Sequence, residues 1–284
     1  MTDKNRYEST DEIAWCPGCG NFSILESLKQ ALDELDIPPD QAMLVSGIGQ
    51  AAKLPHYLKA NVFNGLHGRA LPPAAGIHMV HPDLPVIVTT GDGDSYGEGG
   101  NHLIHNIRRN VNITHLVHDN QIYGLTKGQG SPTTALGQKA SIQYDGVKSE
   151  ALKPLALAVS LDCSFVARGF AGHPEHLKEL MKQAILHKGY ALVDILQPCV
   201  SYNKVNTFRW YKEHTYFLEE SYDPTDQVEA FRRALEWEEK IPLGVLYRRD
   251  KPDWHDRNPG FSEEPLVRRR RTPSDMAFLL EDYR

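Results

Sequence analysis

Residues 85–129 read PVIVTTGDGDSYGEGGNHLIHNIRRNVNITHLVHDNQIYGLTKGQ. Pro85 to Thr90 is a short apolar run rich in β-branched residues, which is typical of a buried parallel strand. A glycine-rich turn follows, then a helical pattern from His102 to Arg109, and then a second strand-like run from Asn112 to His118. This order of strand, turn, helix and strand predicts one βαβ unit.

Each predicted strand ends at oxygen-bearing side chains: Gly91-Asp92-Gly93-Asp94 follows the first, and Asp119-Asn120 follows the second. The carboxyl ends of parallel strands share the sheet edge at which α/β proteins bind ligands. Mg²⁺ prefers oxygen ligands and usually keeps substrate phosphates in its shell. Glycines let backbone N–H groups approach phosphates, and a helix N-terminus favours their charge. The pattern therefore predicts a metal–diphosphate site, whereas Gly-Asp-Gly-Asp alone would also fit a tight turn with two solvated carboxylates.

The spacing resembles the signature of thiamine-diphosphate enzymes, in which Gly-Asp-Gly precedes an Asn at a set distance. Here Gly91-Asp92-Gly93 is followed by 26 residues, 94–119, and then by Asn120. The continuation NQIYGLTKGQ, residues 120–129, resembles a narrower group, the β subunits of 2-oxoacid:ferredoxin oxidoreductases. The resemblance covers approximately residues 12–250.

This resemblance implies a site for thiamine diphosphate and Mg²⁺. Asp92, Asn120 and the carbonyl of Ile122 would bind Mg²⁺, and the glycine turns 47–49 and 91–93 would hold the cofactor. The cofactor-binding residues implied in this way are Gly47, Ile48, Gly49, His67, Gly91, Asp92, Gly93, Asp94, Asn120, Ile122, Gly124, Leu125 and Thr126.

A second informative motif is Cys16-Pro17-Gly18-Cys19-Gly20-Asn21. A Cys-x-x-Cys turn can hold zinc, ligate an iron–sulfur cluster or exchange disulfides, and no second close pair of zinc ligands follows at finger-like spacing. The resemblance implies that Cys16, Cys19 and Cys199, the last in Gln197-Pro198-Cys199, ligate a [4Fe–4S] cluster beside the thiamine site.

The sequence departs from the family at the expected additional cysteine. The family typically has Ser-Gly-Ile-Gly-Cys, whereas residues 46–50 read SGIGQ, which places Gln50 at that position. A carboxamide is a poor ligand for iron that prefers thiolate sulfur. A four-iron cluster with a non-cysteine or solvent ligand, a three-iron cluster and a structural turn without a cluster all remain open. Cys163 precedes a strand-like run, and we expect it in the core.

The remaining pattern alternates strands and helices. Asn21 is a candidate N-cap for a helix with an apolar face formed by Phe22, Leu25, Leu28, Leu32 and Leu35. Further helices are predicted to begin at Pro174, burying Leu177, Leu180, Met181, Ala184 and Ile185, and at Asp223-Pro224, with Val228, Phe231 and Leu235. Further strands are predicted over 42–46, 165–168, 190–196 and 241–247. The expected fold is a three-layer α/β domain with a parallel sheet, of the thiamin diphosphate-binding type, over residues 1–250.

Residues 251–284 differ in composition from the rest of the chain. They contain four prolines, the run Arg268 to Arg271, and the scattered apolar residues Trp254, Phe261, Phe278 and Leu280. The segment fits either a solvated flexible tail or an arm that binds a partner subunit. Nucleic acid is not an expected partner, because the 284-residue chain has a net charge of −6.

Composition excludes several other classes. The first 14 residues are polar, which argues against a signal peptide, and no apolar run approaches membrane-spanning length. The mean hydropathy of −0.45 agrees with this. Four cysteines are too few for a disulfide scaffold, so we expect a cytoplasmic protein without a membrane partner.

Three side chains are candidates for direct roles in catalysis. His67, in Leu66-His67-Gly68, would contact a diphosphate oxygen or a substrate carboxylate, unless it is a loop residue facing water. Lys53 and Lys127 are candidate cations for the carboxylate of a 2-oxoacid or the phosphates of coenzyme A, although each also fits an ordinary surface lysine.

The activity implied by the resemblance is oxidative decarboxylation of a 2-oxoacid with coenzyme A to acyl-CoA, CO₂ and reduced ferredoxin, or the reverse carboxylation. The short β chain resembles 2-oxoglutarate enzymes more than pyruvate enzymes. The glutamate that activates thiamine lies on a separate α subunit in that family, so an α₂β₂ assembly is expected. The alternatives are a subunit of a non-oxidative 2-oxoacid decarboxylase and a non-catalytic cofactor-binding scaffold.

Overall fold

The computed structural model describes residues 6–237, 239–261, 264–270 and 281. Its strands are β1 Met43–Ser46, β2 Asn61–Asn64, β3 Val86–Gly91, β4 Thr114–Asp119, β5 Ile122–Tyr123, β6 Gln129–Gly130, β7 Phe165–Phe170, β8 Ala191–Leu196, β9 Thr215–Phe217 and β10 Ile241–Arg248. Its α-helices are α1 Gly20–Glu34, α2 Leu71–Val80, α3 Gly100–Arg109, α4 Pro154–Ser160, α5 Pro174–Leu186, α6 Phe208–His214 and α7 Gln227–Leu235. Within those described ranges, no helix combines the length and the apolar character needed to cross a bilayer.

The main sheet has eight strands in the order β2-β1-β3-β4-β8-β7-β10-β9. Neighbouring strands are parallel, except that β10 pairs antiparallel with β7. Strands β5 and β6 form a separate two-stranded antiparallel ribbon. The expected α/β fold with a mostly parallel sheet is confirmed, and β10 and β9 run opposite to the other strands of the main sheet.

Helices cover both faces of the sheet and form two large cores. One core joins the sheet to α2, α3, α4 and α7, and the other joins it to α1 and α5. Successive residues of β3 illustrate the division, because Val86 and Val88 belong to the first core and Ile87 to the second. A strand that is buried on both faces must be apolar throughout, which explains the unbroken runs seen in the sequence.

The start of α1 differs from the prediction. Cys19 occupies the N-cap position, and Asn21 lies inside the helix, where its Oδ1 is 2.8 Å from His118 Nδ1. The prediction that Asn21 caps the helix is therefore wrong: its carboxamide ties α1 to the end of β4. Of the predicted apolar face, Leu25, Leu28 and Leu32 are buried.

Helix α7 also differs from the sequence pattern. It begins at Gln227 and not at Asp223-Pro224, because the Asp226 side chain accepts hydrogen bonds from the backbone N–H groups of the first turn. The predicted apolar residues Val228, Phe231 and Leu235 are exposed, and the residues buried against α4 are Ala230 and Ala234.

Residues 251–261 and 264–270 run over the same domain. The backbone N–H of Trp254 donates to the carbonyl of Asn110, and its ring packs on the ring of Phe261, with centroids 5.0 Å apart. Lys188 pairs with Asp256 at 2.6 Å. Trp254 and Phe261 thus contact their own chain, whereas Phe278, Leu280 and Arg271 lie outside the described residues. A partner-binding role for this arm stays a prediction.

Candidate functional site

The predicted βαβ unit forms β3, α3 and β4, and its two strand ends lie side by side. Gly91 pairs with His118 across the two strands, so Asp92 and Asn120 follow neighbouring strand ends. Residues Gly93–Glu98 form a π-helical turn that leads from Asp92 into α3. Such turns occur frequently at functional sites.

Asp92 is buried and bound by two hydroxyl groups. Its side-chain Oδ2 accepts hydrogen bonds from Ser131 Oγ at 2.5 Å and Thr133 Oγ1 at 2.7 Å, and the residue is 1% exposed. Burial raises the pKa of Asp92 to about 6, although the bonds from Ser131, Thr133 and the Gly93 N–H oppose this. A carboxylate buried in this way is suited to a cation that would neutralise it.

Thr133 connects Asp92 to a second buried carboxyl group. Its Oγ1 lies 2.8 Å from Asp119 Oδ1 as well as 2.7 Å from Asp92 Oδ2. Burial, together with the charges of Asp194 and Asp92, raises the pKa of Asp119 well above its usual value. A hydroxyl has one proton, so Thr133 donates to one carboxylate only. The Thr133 hydroxyl therefore lies between the two buried carboxyl groups and links them.

Asp94 anchors the loops around the cavity. Its Oδ1 accepts hydrogen bonds from the N–H groups of Gly68 at 2.7 Å and Ile48 at 3.2 Å, and lies 2.6 Å from His67 Nδ1. A Cβ on Gly47 would lie 1.9 Å from Asp94 Oδ2, so only glycine allows this approach. Asp94 therefore ties the 47–49 turn and the His67 loop to the end of β3.

The carboxamide of Asn120 is held at both ends. Its Nδ2 donates to Gln197 Oε1 at 3.0 Å, and its Oδ1 accepts from the N–H of Ile122 at 3.0 Å. Between them, Gln121 adopts a positive φ of 58°, which turns the chain from β4 into β5. The Asn120 oxygen is thus fixed at the same sheet edge as Asp92.

Most of the residues implied for thiamine diphosphate line one cavity. The described residues lining it are Ile48, Gly49, Gln50, Ala51, His67, Gly91, Asp92, Gly93, Asp94, Asn120, Ile122, Tyr123, Gly124, Leu125 and Thr126. Gly47 lies behind this wall, against Asp94. A Cβ on Gly49 or Gly91 would meet no atom within 4 Å, so at these positions the backbone borders open space.

The two candidate lysines lie elsewhere. Of the described residues, neither Lys53 nor Lys127 belongs to the cavity lining. Lys127 is exposed, with a φ of 75°, in the turn between β5 and β6. His67 does line the cavity, between Asp94 and Glu98. Of the three catalytic candidates, the fold brings His67 alone to the cavity wall.

A neighbouring cavity is lined by three of the four cysteines. Cys16, Cys19 and Cys199 share its wall with Gln50, and Gln50, Asn120 and Gly124 border both cavities. Cys163 is buried in the core, as expected. Over the described ranges, no group of three His, Cys, Asp or Glu side chains is arranged so that it could hold a single metal ion.

Hydrogen bonds through Gln197 connect Cys19 to the first cavity. Gln197, whose Oε1 accepts from Asn120, donates through Nε2 to Cys19 Sγ at 3.4 Å. Ser201 Oγ donates to Cys16 Sγ at 3.0 Å. Burial raises the pKa of the Cys19 thiol to about 11, with smaller contributions from the neighbouring Cys199 and Cys16. Gln197 therefore joins the two sites through a side chain.

Sequence reasoning missed the residues that hold these groups in place. Ser131 and Thr133 bind Asp92, and Gln197 bridges Asn120 and Cys19. The only sequence signal for the first pair was the hydroxyl-rich run Ser131-Pro132-Thr133-Thr134 after the cofactor loop. Gln197 stood in the quoted Gln-Pro-Cys segment, but its partner Asn120 is 77 positions away.

Family models match most of the chain. The C-terminal TPP-binding domain of thiamine pyrophosphate enzymes matches residues 42–195, and the C-terminal part of the pyruvate ferredoxin oxidoreductase β subunit matches residues 199–263. The first match contains the strands and turns that form the cavity.

Full-length relatives agree with these models. The chain is 43% identical over 270 residues to a 2-oxoacid:ferredoxin oxidoreductase β subunit from Saccharolobus solfataricus, which covers 88% of both chains. It is 33% identical over 259 residues to the 2-oxoglutarate synthase subunit KorB from Methanocaldococcus jannaschii, covering 88% of this chain and 93% of the relative. The chain also aligns with a solved 2-oxoglutarate:ferredoxin oxidoreductase from Magnetococcus marinus, which has 2-oxoglutarate, coenzyme A and succinyl-CoA bound. The TM-score is 0.90 at 35% identity, and the alignment covers 98% of this chain and 95% of that chain. The chain belongs to the β subunits of 2-oxoacid:ferredoxin oxidoreductases.

Proposed function

We propose that this β subunit binds thiamine diphosphate and Mg²⁺ in the cavity at the carboxyl edge of β3 and β4 and acts on 2-oxoglutarate. The observation that carries the proposal is the convergence of Asp92, Asn120 and Ile122 with two glycine turns on that one cavity. A buried carboxylate facing a cavity with glycine-lined walls suits a divalent cation and a diphosphate.

Asp92, the Asn120 Oδ1 and the Ile122 carbonyl would hold the Mg²⁺. The glycine turns 47–49 and 91–93 would take the diphosphate. Thiamine, when bound, supplies the carbanion and electron sink that 2-oxoacid decarboxylation requires. This chain's own residues position that group: Asp94 fixes the surrounding loops, and His67 presents a ring nitrogen at the cavity wall.

The α-subunit partner follows from what the cavity lacks. Among the described lining residues there is no glutamate, the residue type that activates thiamine through its aminopyrimidine. A partner subunit would supply it, and ferredoxin would accept the electrons, as the family name implies. The choice of 2-oxoglutarate is supported by the names of the M. jannaschii relative and of the M. marinus structure.

For the second cavity we propose an iron–sulfur cluster held by Cys16, Cys19 and Cys199. These three thiols and Gln50 line the same cavity, which is the residue set that a three-cysteine cluster would contact. The Gln50 Oε1 has no hydrogen-bond partner within the described structure. That oxygen is therefore not committed to another group, although a carboxamide is a weak ligand for iron.

The test of the main proposal uses the co-purified αβ complex with a panel of 2-oxoacids, coenzyme A and ferredoxin or a viologen. Electron transfer that depends on thiamine diphosphate and prefers 2-oxoglutarate to pyruvate is expected. Equal turnover without added thiamine diphosphate, after its removal has been verified, would contradict the cofactor assignment. A preference for another 2-oxoacid would overturn the substrate assignment only.

Iron content tests the cluster separately. Replacing Cys16, Cys19 or Cys199 by alanine should lower the iron bound by anaerobically prepared protein, whereas Cys163→Ala is the matched control and should not. Gln50→Cys should add a thiolate, slow iron loss on oxidation and lower the reduction potential, because added negative charge disfavours the reduced state. Parent protein without iron would refute the cluster, and a parent cluster that already behaves as four-cysteine-ligated would refute the role of Gln50.

A further inference from the structure

Two hydroxyl groups converge on a single oxygen of Asp92. Ser131 Oγ and Thr133 Oγ1 lie 2.5 Å and 2.7 Å from Oδ2, and neither hydroxyl bonds to Oδ1. Ser131 and Thr133 are 6% and 4% exposed. These short, buried bonds to a charged acceptor belong to the stronger class of hydrogen bonds in proteins. The orientation of the Asp92 carboxylate is therefore set from one side.

The segment carrying these hydroxyls is itself fixed. The Thr134 Oγ1 accepts from the N–H of Ser131 at 2.7 Å and donates to the carbonyl of Gln121 at 2.6 Å. Gln121 follows Asn120 in the turn that leads into β5. The segment 131–134 is thus connected to both chain positions that are proposed to bind the cation.

Because both hydroxyl groups bind Oδ2, the two oxygens of the Asp92 carboxylate are not equally available to a cation. Rotation that would bring both oxygens to one cation must break the two bonds to Oδ2. Ca²⁺ accepts carboxylates with one or two oxygens at 2.3–2.6 Å in a flexible shell of six to eight ligands, whereas Mg²⁺ requires a near-octahedral shell at about 2.0–2.1 Å. Restricting Asp92 to one oxygen removes a ligand from the larger ion and costs the smaller ion nothing.

We propose that Ser131 and Thr133 are positioning residues that limit Asp92 to a one-oxygen contact with the divalent cation and thereby favour Mg²⁺ over Ca²⁺. This inference rests on the proposed cation site at Asp92. It extends that site by assigning a selectivity function to two residues that do not themselves ligate the metal. Groups that orient a metal ligand typically change metal affinity 10–100-fold when they are removed.

The experiment measures thiamine-diphosphate binding to the αβ complex as a function of Mg²⁺ alone and of Ca²⁺ alone, by calorimetric or fluorescence titration. Ser131→Ala and Thr133→Val remove one hydroxyl each. Both variants are expected to need about 10–100-fold more Mg²⁺ for half-maximal binding, with a smaller change for Ca²⁺, so that the Mg²⁺/Ca²⁺ preference falls.

Two controls separate orientation from general structural damage. Thr89→Val makes the same isosteric change at a buried threonine of β3 whose hydroxyl has no hydrogen-bond partner in the described structure, and it should leave both affinities unchanged. Thr133→Ser keeps the hydroxyl and should retain the parental preference. If Thr133→Val does not fold, Ser131→Ala carries the test.

The outcomes distinguish this inference from the proposal beneath it. A parent complex whose thiamine-diphosphate binding is independent of divalent cation would refute the cation site itself. If the parent requires the cation but the variants weaken Mg²⁺ and Ca²⁺ equally, or leave both unchanged, the cation site stands and the selectivity function is wrong. The selectivity function would also be wrong if Thr133→Ser lost the preference for Mg²⁺ over Ca²⁺ to the same extent as Thr133→Val.

Discussion

Replacing Asp92 by asparagine should stabilise the cofactor-free chain at neutral pH while abolishing its response to Mg²⁺ and thiamine diphosphate. Burial raises the pKa of Asp92 from 3.8 to about 6, so folding favours the protonated carboxyl. The stability contributed by this group is fully present below pH 3.8 and is lost as the pH rises through about 6. Above that pH the ionised carboxylate opposes folding, and asparagine removes the charge with little change in shape.

The expected size follows from the pKa difference. A difference of about 2 pH units corresponds to roughly 3 kcal/mol, at about 1.4 kcal/mol per unit. For a chain of this size, each kcal/mol moves the melting temperature by about 2–4 °C. Asp92→Asn should therefore melt roughly 6–12 °C above the parent at pH 7.5 in the absence of cofactor.

Cofactor should reverse the order of stability. A ligand that binds only the folded state at 100 times its Kd stabilises that state by about 2.7 kcal/mol. The parent should gain this amount from Mg²⁺ and thiamine diphosphate, whereas the variant lacks the charged cation ligand and should gain almost nothing. Thermal melts of the parent and of Asp92→Asn from pH 5 to pH 8, with and without cofactor, measure both the pH dependence and the effect of cofactor on stability.

Asp162 is a control, because its pKa is shifted in the opposite direction to that of Asp92. Burial tends to raise its pKa, but hydrogen bonds and charges from Tyr247, Lys251 and Arg249 outweigh this and hold the pKa of Asp162 below its usual value. Asp162→Asn should therefore destabilise the chain at neutral pH, and its cost should shrink as the pH falls through the lowered pKa. If cofactor-free Asp92→Asn is less stable than the parent at pH 7.5, or if its advantage does not shrink towards pH 5, the argument from burial is wrong.

Three further predictions concern close contacts and assembly. Gly68→Ala should destabilise the chain by more than about 2 kcal/mol, because the new Cβ would lie 2.5 Å from the Glu98 carbonyl carbon and Gly68 has a φ of 71°. Urea titrations measure this, and an unchanged unfolding midpoint would contradict it. Gly93→Ala would place a Cβ 2.2 Å from Tyr123 Cε1 and should weaken thiamine-diphosphate binding at least tenfold. Adding Tyr123→Ala should restore part of the affinity, and a double variant without recovery would show that the clash with the Tyr123 ring is not the cause. The isolated chain should show no 2-oxoacid oxidation until the α subunit is added, and full turnover alone would refute a shared active site.

Short-range patterns in the sequence were sufficient for the core of the fold and for the metal–diphosphate prediction. The β3–α3–β4 unit depends on local periodicity and on turn residues that lie next to one another in the chain. Because parallel strands end at one sheet edge, Asp92 and Asn120 could be brought together without coordinates. The position of Cys163 just before a strand-like run likewise predicted that it lies in the core. Local patterns failed to predict which face of α7 is buried, because tertiary packing decides this. The small alanines of α7 face α4, and its larger apolar residues face outward.

The sequence by itself thus determined the α/β class and the family resemblance, and it predicted which oxygens and thiols form the site. Only the tertiary structure decided how they are held: Ser131 and Thr133 reach Asp92 across 39 and 41 positions, and Gln197 reaches Asn120 across 77. It also showed that Gln50 borders both cavities and that, among the described residues, neither Lys53 nor Lys127 lines the cavity at Asp92. Contacts between residues far apart in the chain have no period and no adjacent turn to mark them, so they become visible only when the chain is folded.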